Sequence, residues 1–167
     1  PPDRPTTRHD TTTSSTPPLS SFPSHPHSDE IAALTSLGFG KPLIRRLETL
    51  ANANGTSLET ELLAGSEIHE DAYFAAMARF LRLPFIADID PASITDTDGL
   101  DVQLLRPNQI RLAHAKKAPQ VAIVPEAIRL AELAALIDRL PALRQGLVIT
   151  TPSQIRSAVW AAGAKRR

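Results

Sequence analysis

The sequence predicts an α+β fold, a helical N-terminal half followed by a small mixed α/β sheet unit. Apolar residues recur at helical spacing through residues 31–81. Beyond Pro84 the period shortens to that of strands at 110–115, 121–124 and 147–150. A long apolar helical stretch separates the last two, the signature of a β-α-β crossover.

The chain opens on a segment that belongs to neither half. From Pro1 to about residue 28 it is dominated by Pro, Thr and Ser, with almost no large apolar residues. Ordering such a segment costs roughly 1–2 kcal/mol per residue of backbone entropy, with little burial to offset it. The expected organisation is therefore a disordered tail over 1–28 and one domain over 29–164, helical to 84 and α/β from 85. Opening on Pro1-Pro2 and closing on Lys165-Arg166-Arg167 suggests a piece of a longer protein.

The first helix is expected at Ser28, with Ser28 as N-cap and Asp29 and Glu30 in the first turn, where the dipole favours acids. Ile31, Leu34 and Leu37 form its stripe, and Gly38-Phe39-Gly40 ends it. Pro42 opens the second helix, which carries Leu43, Ile44, Leu47, Leu50 and Ala51 on one face and stops at Asn54-Gly55. A short third helix is capped by Ser57, buries Leu58, Leu62 and Leu63, and ends at Gly65. The fourth spans about 70–81 with Tyr73, Ala76, Met77 and Phe80 inward, ended by Pro84.

Phe85-Ile86 is a short extended piece, and 88–101 is polar and turn-rich, broken by Pro91 and Gly99. Strands are expected at 110–115 and 121–124, joined by a turn at Lys116–Pro119. A helix over 126–140 has Ile128, Ala131, Ala135 and Leu136 among its inner residues. A strand at 147–150 precedes a helix over 152–162, with Pro152 at its first position and Ile155, Ala158, Val159 and Ala162 as its stripe.

Composition narrows the chemistry. With no cysteine, disulfides, thiolate catalysis and cysteine-ligated metals are excluded. A formal net charge of zero and 4% aromatic residues argue against a nucleic-acid partner. The basic residues Arg45, Arg46, Arg79, Arg82, Arg106, Arg111, Lys116 and Lys117 are scattered, as on solvated helix faces. No apolar run approaches the roughly 20 residues that cross a bilayer. No G-x-x-x-x-G-K-[ST], G-x-G-x-x-G or G-x-S-x-G occurs, which removes the usual phosphate loops and the nucleophile elbow.

The five histidines are His9, His25 and His27 in the tail, His69 at a helix start and His114 in a strand. The tail set could take adventitious metal, with nothing expected to order it. His69 beside Glu70 and Asp71 reads either as an acid/base cluster or, far more simply, as a helix start stocked with acids. His114 reads as a surface or packing residue. Asp88, Asp90, Asp96, Asp98 and Asp101 crowd the 88–101 connection, but Gly99 comes too early for a calcium loop and no Glu closes one. Turn-capping explains them as well. The residues thus name no catalytic group, no metal ligand, no cofactor and no identifiable cofactor-binding residue.

Gly55-Thr56-Ser57-Leu58, Leu62-Leu63-Ala64-Gly65 and the run from Ile68-His69-Glu70-Asp71-Ala72-Tyr73 to Leu83-Pro84-Phe85 resemble the N-terminal domain of type II secretion and type IV pilus assembly ATPases. Leu105-Arg106-Pro107, Val121–Pro125 and Ile155–Val159 fit the remainder of that pattern, so the resemblance covers about 34–162. The wording is similar to the form that fronts bacterial membrane-bound family 2 glycosyltransferases. The resemblance implies a regulatory or docking domain without its own catalytic site, the N-terminal part of an exopolysaccharide-synthesising enzyme. Its partner would be a protein or the rest of its own polypeptide, at the cytoplasmic face of the inner membrane. Lys165-Arg166-Arg167 suits the flank of a membrane span, or equally a helix C-terminus stocked with cations. The alternatives are the docking domain of a secretion or pilus ATPase and a cyclic di-GMP sensor. For that ligand some members of the wider family use Arg-Leu-Gly, where this chain has Thr56-Ser57-Leu58. The family's usual Gly before Leu-Pro-Phe is here Arg82.

Overall fold

A computed structural model describes residues 26–95, 104–114 and 117–164. Its elements are α1 (Ser28–Ser36), α2 (Lys41–Asn54), α3 (Leu58–Ala64), α4 (Glu70–Leu81), β1 (Gln109–His114), β2 (Lys117–Ile123), α5 (Leu130–Arg139), α6 (Leu143–Gly146), β3 (Leu147–Ile149) and α7 (Pro152–Ala164). Short 3-10 turns sit at Pro91–Ser93 and Ala127–Arg129. Among the described elements, α1–α4 thus precede a three-stranded sheet, as the change of period predicts. The tail expected over 1–28 falls almost wholly outside the described residues, as do His9, His25 and Lys165–Arg167. So do Asp96, Asp98, Gly99, Asp101 and Lys116.

Strand order is β1-β2-β3, with β1 antiparallel to β2 and β2 parallel to β3. α5 lies in the β2–β3 crossover, as expected of a β-α-β unit. Alternation along β3 shows the sheet's place: Ile149 packs into the helical core with Tyr73, Met77 and Leu81, while Val148 packs with Ile155, Ala158 and Val159 of α7. The sheet therefore has α1–α5 on one side and α7 on the other. Both edges are extended by isolated bridges, Phe85 to Ile149 and Ile94 to Leu112. The extended Phe85 piece is the point where the helical half joins the sheet.

Several expectations need correction. Ser28 is the first residue of α1, not its cap; the N-cap is His27, without a side-chain cap bond. Lys117–Pro119, expected in a turn, belong instead to β2, which begins at Lys117 and includes Pro119. The register shifts between Leu112 and His114, and a proline is tolerated in a strand where the ladder is already broken. On α4 the buried set is Tyr73, Phe74, Met77, Ala78 and Leu81; Ala76 is half-buried and Phe80 exposed. Leu50 on α2 is likewise exposed.

The largest correction concerns α5. Leu130 and Ile137 are buried, with Leu133 and Ala134 packed against the same core. Ile128, Ala131, Ala135 and Leu136, expected inside, face out. Apolar residues surround this helix, and two stripes of helical spacing compete for the interior. Three ties choose between them. The Ala127 N–H is held by the Glu59 carboxylate, with both Oε1 and Oε2 at 3.2 Å. Arg144 on α6 donates to Asp138 at 2.9 Å and to the Leu81 carbonyl at 2.6 Å. These contacts hold the Leu130–Ile137 side of α5 against α4.

Candidate functional site

Three ionisable side chains lie deep in the helical half, and all three join elements. Glu30 of α1 is 4% exposed and accepts from the Leu58 and Glu59 N–H groups at 3.2 Å each. Ser57 Oγ accepts from the Thr60 N–H at 3.0 Å, and the Glu61 N–H reaches the Ser57 carbonyl at 3.2 Å. The first four N–H groups of α3 are thereby all paired, two of them by an acid from another helix. His27 Nδ1 lies 3.1 Å from Glu30, and its Nε2 lies 3.3 Å from Asn52 Oδ1. The structure therefore orders His27, the tail histidine expected to be loose.

Glu59 is the second such acid. The Tyr73 hydroxyl donates to its Oε1 at 2.8 Å, and the Ala127 N–H donates to both of its oxygens. Burial pushes the Glu59 carboxyl above the ordinary range; its two donors oppose that rise, and the charges of Glu30 and Glu126 add to it. Tyr73 is pushed well above the usual phenol range by burial first, and then by the adjacent Glu59. It remains a hydrogen-bond donor at any ordinary pH. Glu30, Glu59 and Tyr73 carried no signal as a group, since their spacings follow ordinary helical patterns and they meet only through tertiary packing.

A cleft lies elsewhere, beside α5. This cleft of about 510 Å³ is floored by Ile123, Val124, Leu133 and Leu136. Arg129, Glu132 and Arg139 stand along one wall, and Asn108 and Gln109 along the other. Beside it runs the outward face of α5 with the residues that flank the helix: Ile128 of the preceding 3-10 turn is 56%, Leu136 38% and Leu140, just past the helix end, 53% exposed. Apolar lining and a charged rim suit a binding surface.

The residues singled out in the sequence are not gathered there. His69 is the exposed N-cap of α4 and Asp71 is exposed beside it; neither forms a side-chain hydrogen bond among the described residues. That is the helix-start arrangement. Asp90 caps the 91–93 turn through the Ala92 N–H at 2.9 Å, and Asp88 is exposed. No group of three or more potential metal ligands occurs among the described residues. Arg46 pairs with Glu67, and Arg45, Arg79, Arg82, Arg106 and Arg111 are exposed rather than gathered at the cleft. Thr56 and Ser57 are spent on α3: Thr56 Oγ1 donates to Glu61, which also accepts from Asn54 at 3.0 Å. Those bonds hold the exposed Glu61 carboxyl below the ordinary range. No described helix is long and apolar enough to cross a membrane.

No protein-family model matches the chain, and no curated protein matches it. Among solved structures, the chain is similar to one described as MshE with cdg. The two share 18% identity over 80% of this chain and 97% of that one, with a TM-score of 0.48. A likeness of that size carries no inference about ligand or activity.

Proposed function

We propose that the chain is a non-catalytic regulatory or docking domain that works through the outward face of α5 and the cleft beside it. One observation carries this reading: an interior-type apolar stripe, Ile128, Leu136 and Leu140, is turned to solvent beside an aliphatic cleft. Exposing such a stripe is unfavourable unless something covers it. The resemblance of the 55–85 run supplies the setting: the N-terminal part of a bacterial membrane-bound family 2 glycosyltransferase, on the cytoplasmic side of the inner membrane. The docking domain of a secretion or pilus ATPase is the alternative.

The test is the full-length parent carrying Leu136→Asp with Leu140→Asp. Its output in cells is expected to change about fivefold or more, the ordinary scale of coupling between sites, while KM for its donor substrate stays the same. Unchanged output overturns the reading. The coding sequence after residue 167 separates the two parents, since one continues into membrane helices and the other into a phosphate-loop ATPase. A cyclic di-GMP sensor is a second reading, favoured by Arg129 and Arg139 lining the cleft and opposed by Glu126 and Glu132, which line it too. Calorimetric titration with the dinucleotide at about 100 μM tests it, heat release being its required result.

A further inference from the structure

From the pattern on α5 we infer that its outward face binds the same face of a second copy of this chain, the two helices running antiparallel about a two-fold axis. The inference rests on the docking reading of that face and names its occupant. The central line of the face is Ile128, Glu132, Ala135 and Arg139, with Ala131 on one side and Leu136 and Leu140 on the other. All seven residues are exposed.

Self-recognition through a two-fold requires a patch complementary to its own inverse. This one is. An axis between Ala135 and Leu136 sets Glu132 of each copy opposite Arg139 of the other, giving two symmetric ion pairs. The same axis sets each flank of the face against its own copy, so the Leu136–Leu140 flank meets the Leu136–Leu140 flank of the second copy and Ala131 meets Ala131. Glu132 and Arg139 lie two turns apart on one helix, about 10 Å at 1.5 Å per residue, too far to pair within the chain. Among the described residues neither has an ion-pair partner. A heterologous partner has no need of this internal inversion of charge, and the Pro/Thr/Ser-rich residues 1–25 offer few apolar side chains to fill the face. The stripe from Ile128 to Leu140 is only about 18 Å long. Its interface falls at the small end of specific contacts, so the dimer is expected to dissociate in the range of tens to hundreds of micromolar.

The experiment is sedimentation velocity on the whole 167-residue chain across about 5–500 μM. Wild type is expected to move from 18.0 kDa toward twice that mass. Glu132→Arg alone makes both cross-pairs Arg–Arg, and Arg139→Glu alone makes both Glu–Glu. Each is expected to weaken self-association at least about tenfold. Mixed together, the two variants regain complementary pairs and should form a heterodimer with wild-type affinity or better. Both positions are on the surface, and circular dichroism confirms that the variants fold. A wild type that stays monomeric throughout overturns the inference, as does a dimer indifferent to both charge reversals. So do variants that fail to associate when mixed. A monomeric wild type would leave the parent-protein test of the docking face standing, so the two readings fail separately.

Discussion

At the C-terminus of α4, Arg82 adopts φ 55°, and no other non-glycine residue described has positive φ. Its N–H reaches the Arg79 carbonyl at 3.1 Å, and the Leu83 N–H reaches Ala78 at 2.9 Å. This is the helix ending that glycine usually completes, since a Cβ makes the left-handed conformation costly. Arg82→Gly is therefore expected to stabilise the fold by about 1 kcal/mol, raising Tm by about 2–4 °C; calorimetry showing a lower Tm would contradict the strain argument. Glu59 is the other telling residue. Its carboxyl sits above the ordinary range because it is buried, so the folded state binds its proton more tightly than the unfolded state does. The associated stability is fully present below the ordinary carboxylate pKa and is lost as pH rises through the raised value. Glu59→Gln removes that loss. The urea midpoint of the variant relative to wild type should shift in the variant's favour between about pH 4 and pH 8, and a pH-independent difference would refute it.

Among the elements, α3 depends most on a neighbour. Seven residues are too few to sustain a helix alone, and two of its first N–H groups are capped by Glu30 from α1. Glu30→Ala leaves them buried without an acceptor and frees His27, and should cost about 2 kcal/mol or more in denaturant unfolding. Glu30→Gln keeps an acceptor oxygen and should cost less; equal losses would show that shape rather than bonding matters there. α3 and α5 also show what a sequence exposes. Ser57, Gly55 and Gly65 bound α3 by local rules, so its limits were readable. The acid that completes its cap lies 28 residues away, and no periodicity points to it. On α5 the period was legible but its phase was not. Leu130, Leu133 and Ile137 compete with Ile128 and Leu136, and long-range bonds from Glu59 and Arg144 decide which set goes inside. The candidate docking face is thus the stripe that sequence reasoning placed in the core.

At the scale of the whole molecule, the sheet lies between two clusters of buried side chains. The larger joins α1–α4 to Ala127, Leu130, Ile137 and Ile149; the smaller joins β1, β2 and β3 to α7, with Val124 packed against both. Neighbouring residues Val148 and Ile149 face opposite clusters, so neither cluster can lose β3 without exposing the other. The Glu59–Ala127 and Thr150–Ile86 hydrogen bonds cross the same junction. Helical half and sheet unit should therefore unfold as one cooperative body. The chain carries its own reporter, for Trp160 is its single tryptophan and stands on α7, across the sheet from the helices that dominate the far-ultraviolet signal. Urea curves followed by tryptophan fluorescence and by circular dichroism should superimpose in midpoint and slope. Ile149→Ala, which opens a cavity in the larger cluster, should lower both midpoints together, with a stability loss of about 2–4 kcal/mol. A fluorescence transition left in place while the helical transition moves would mean that the two halves fold separately.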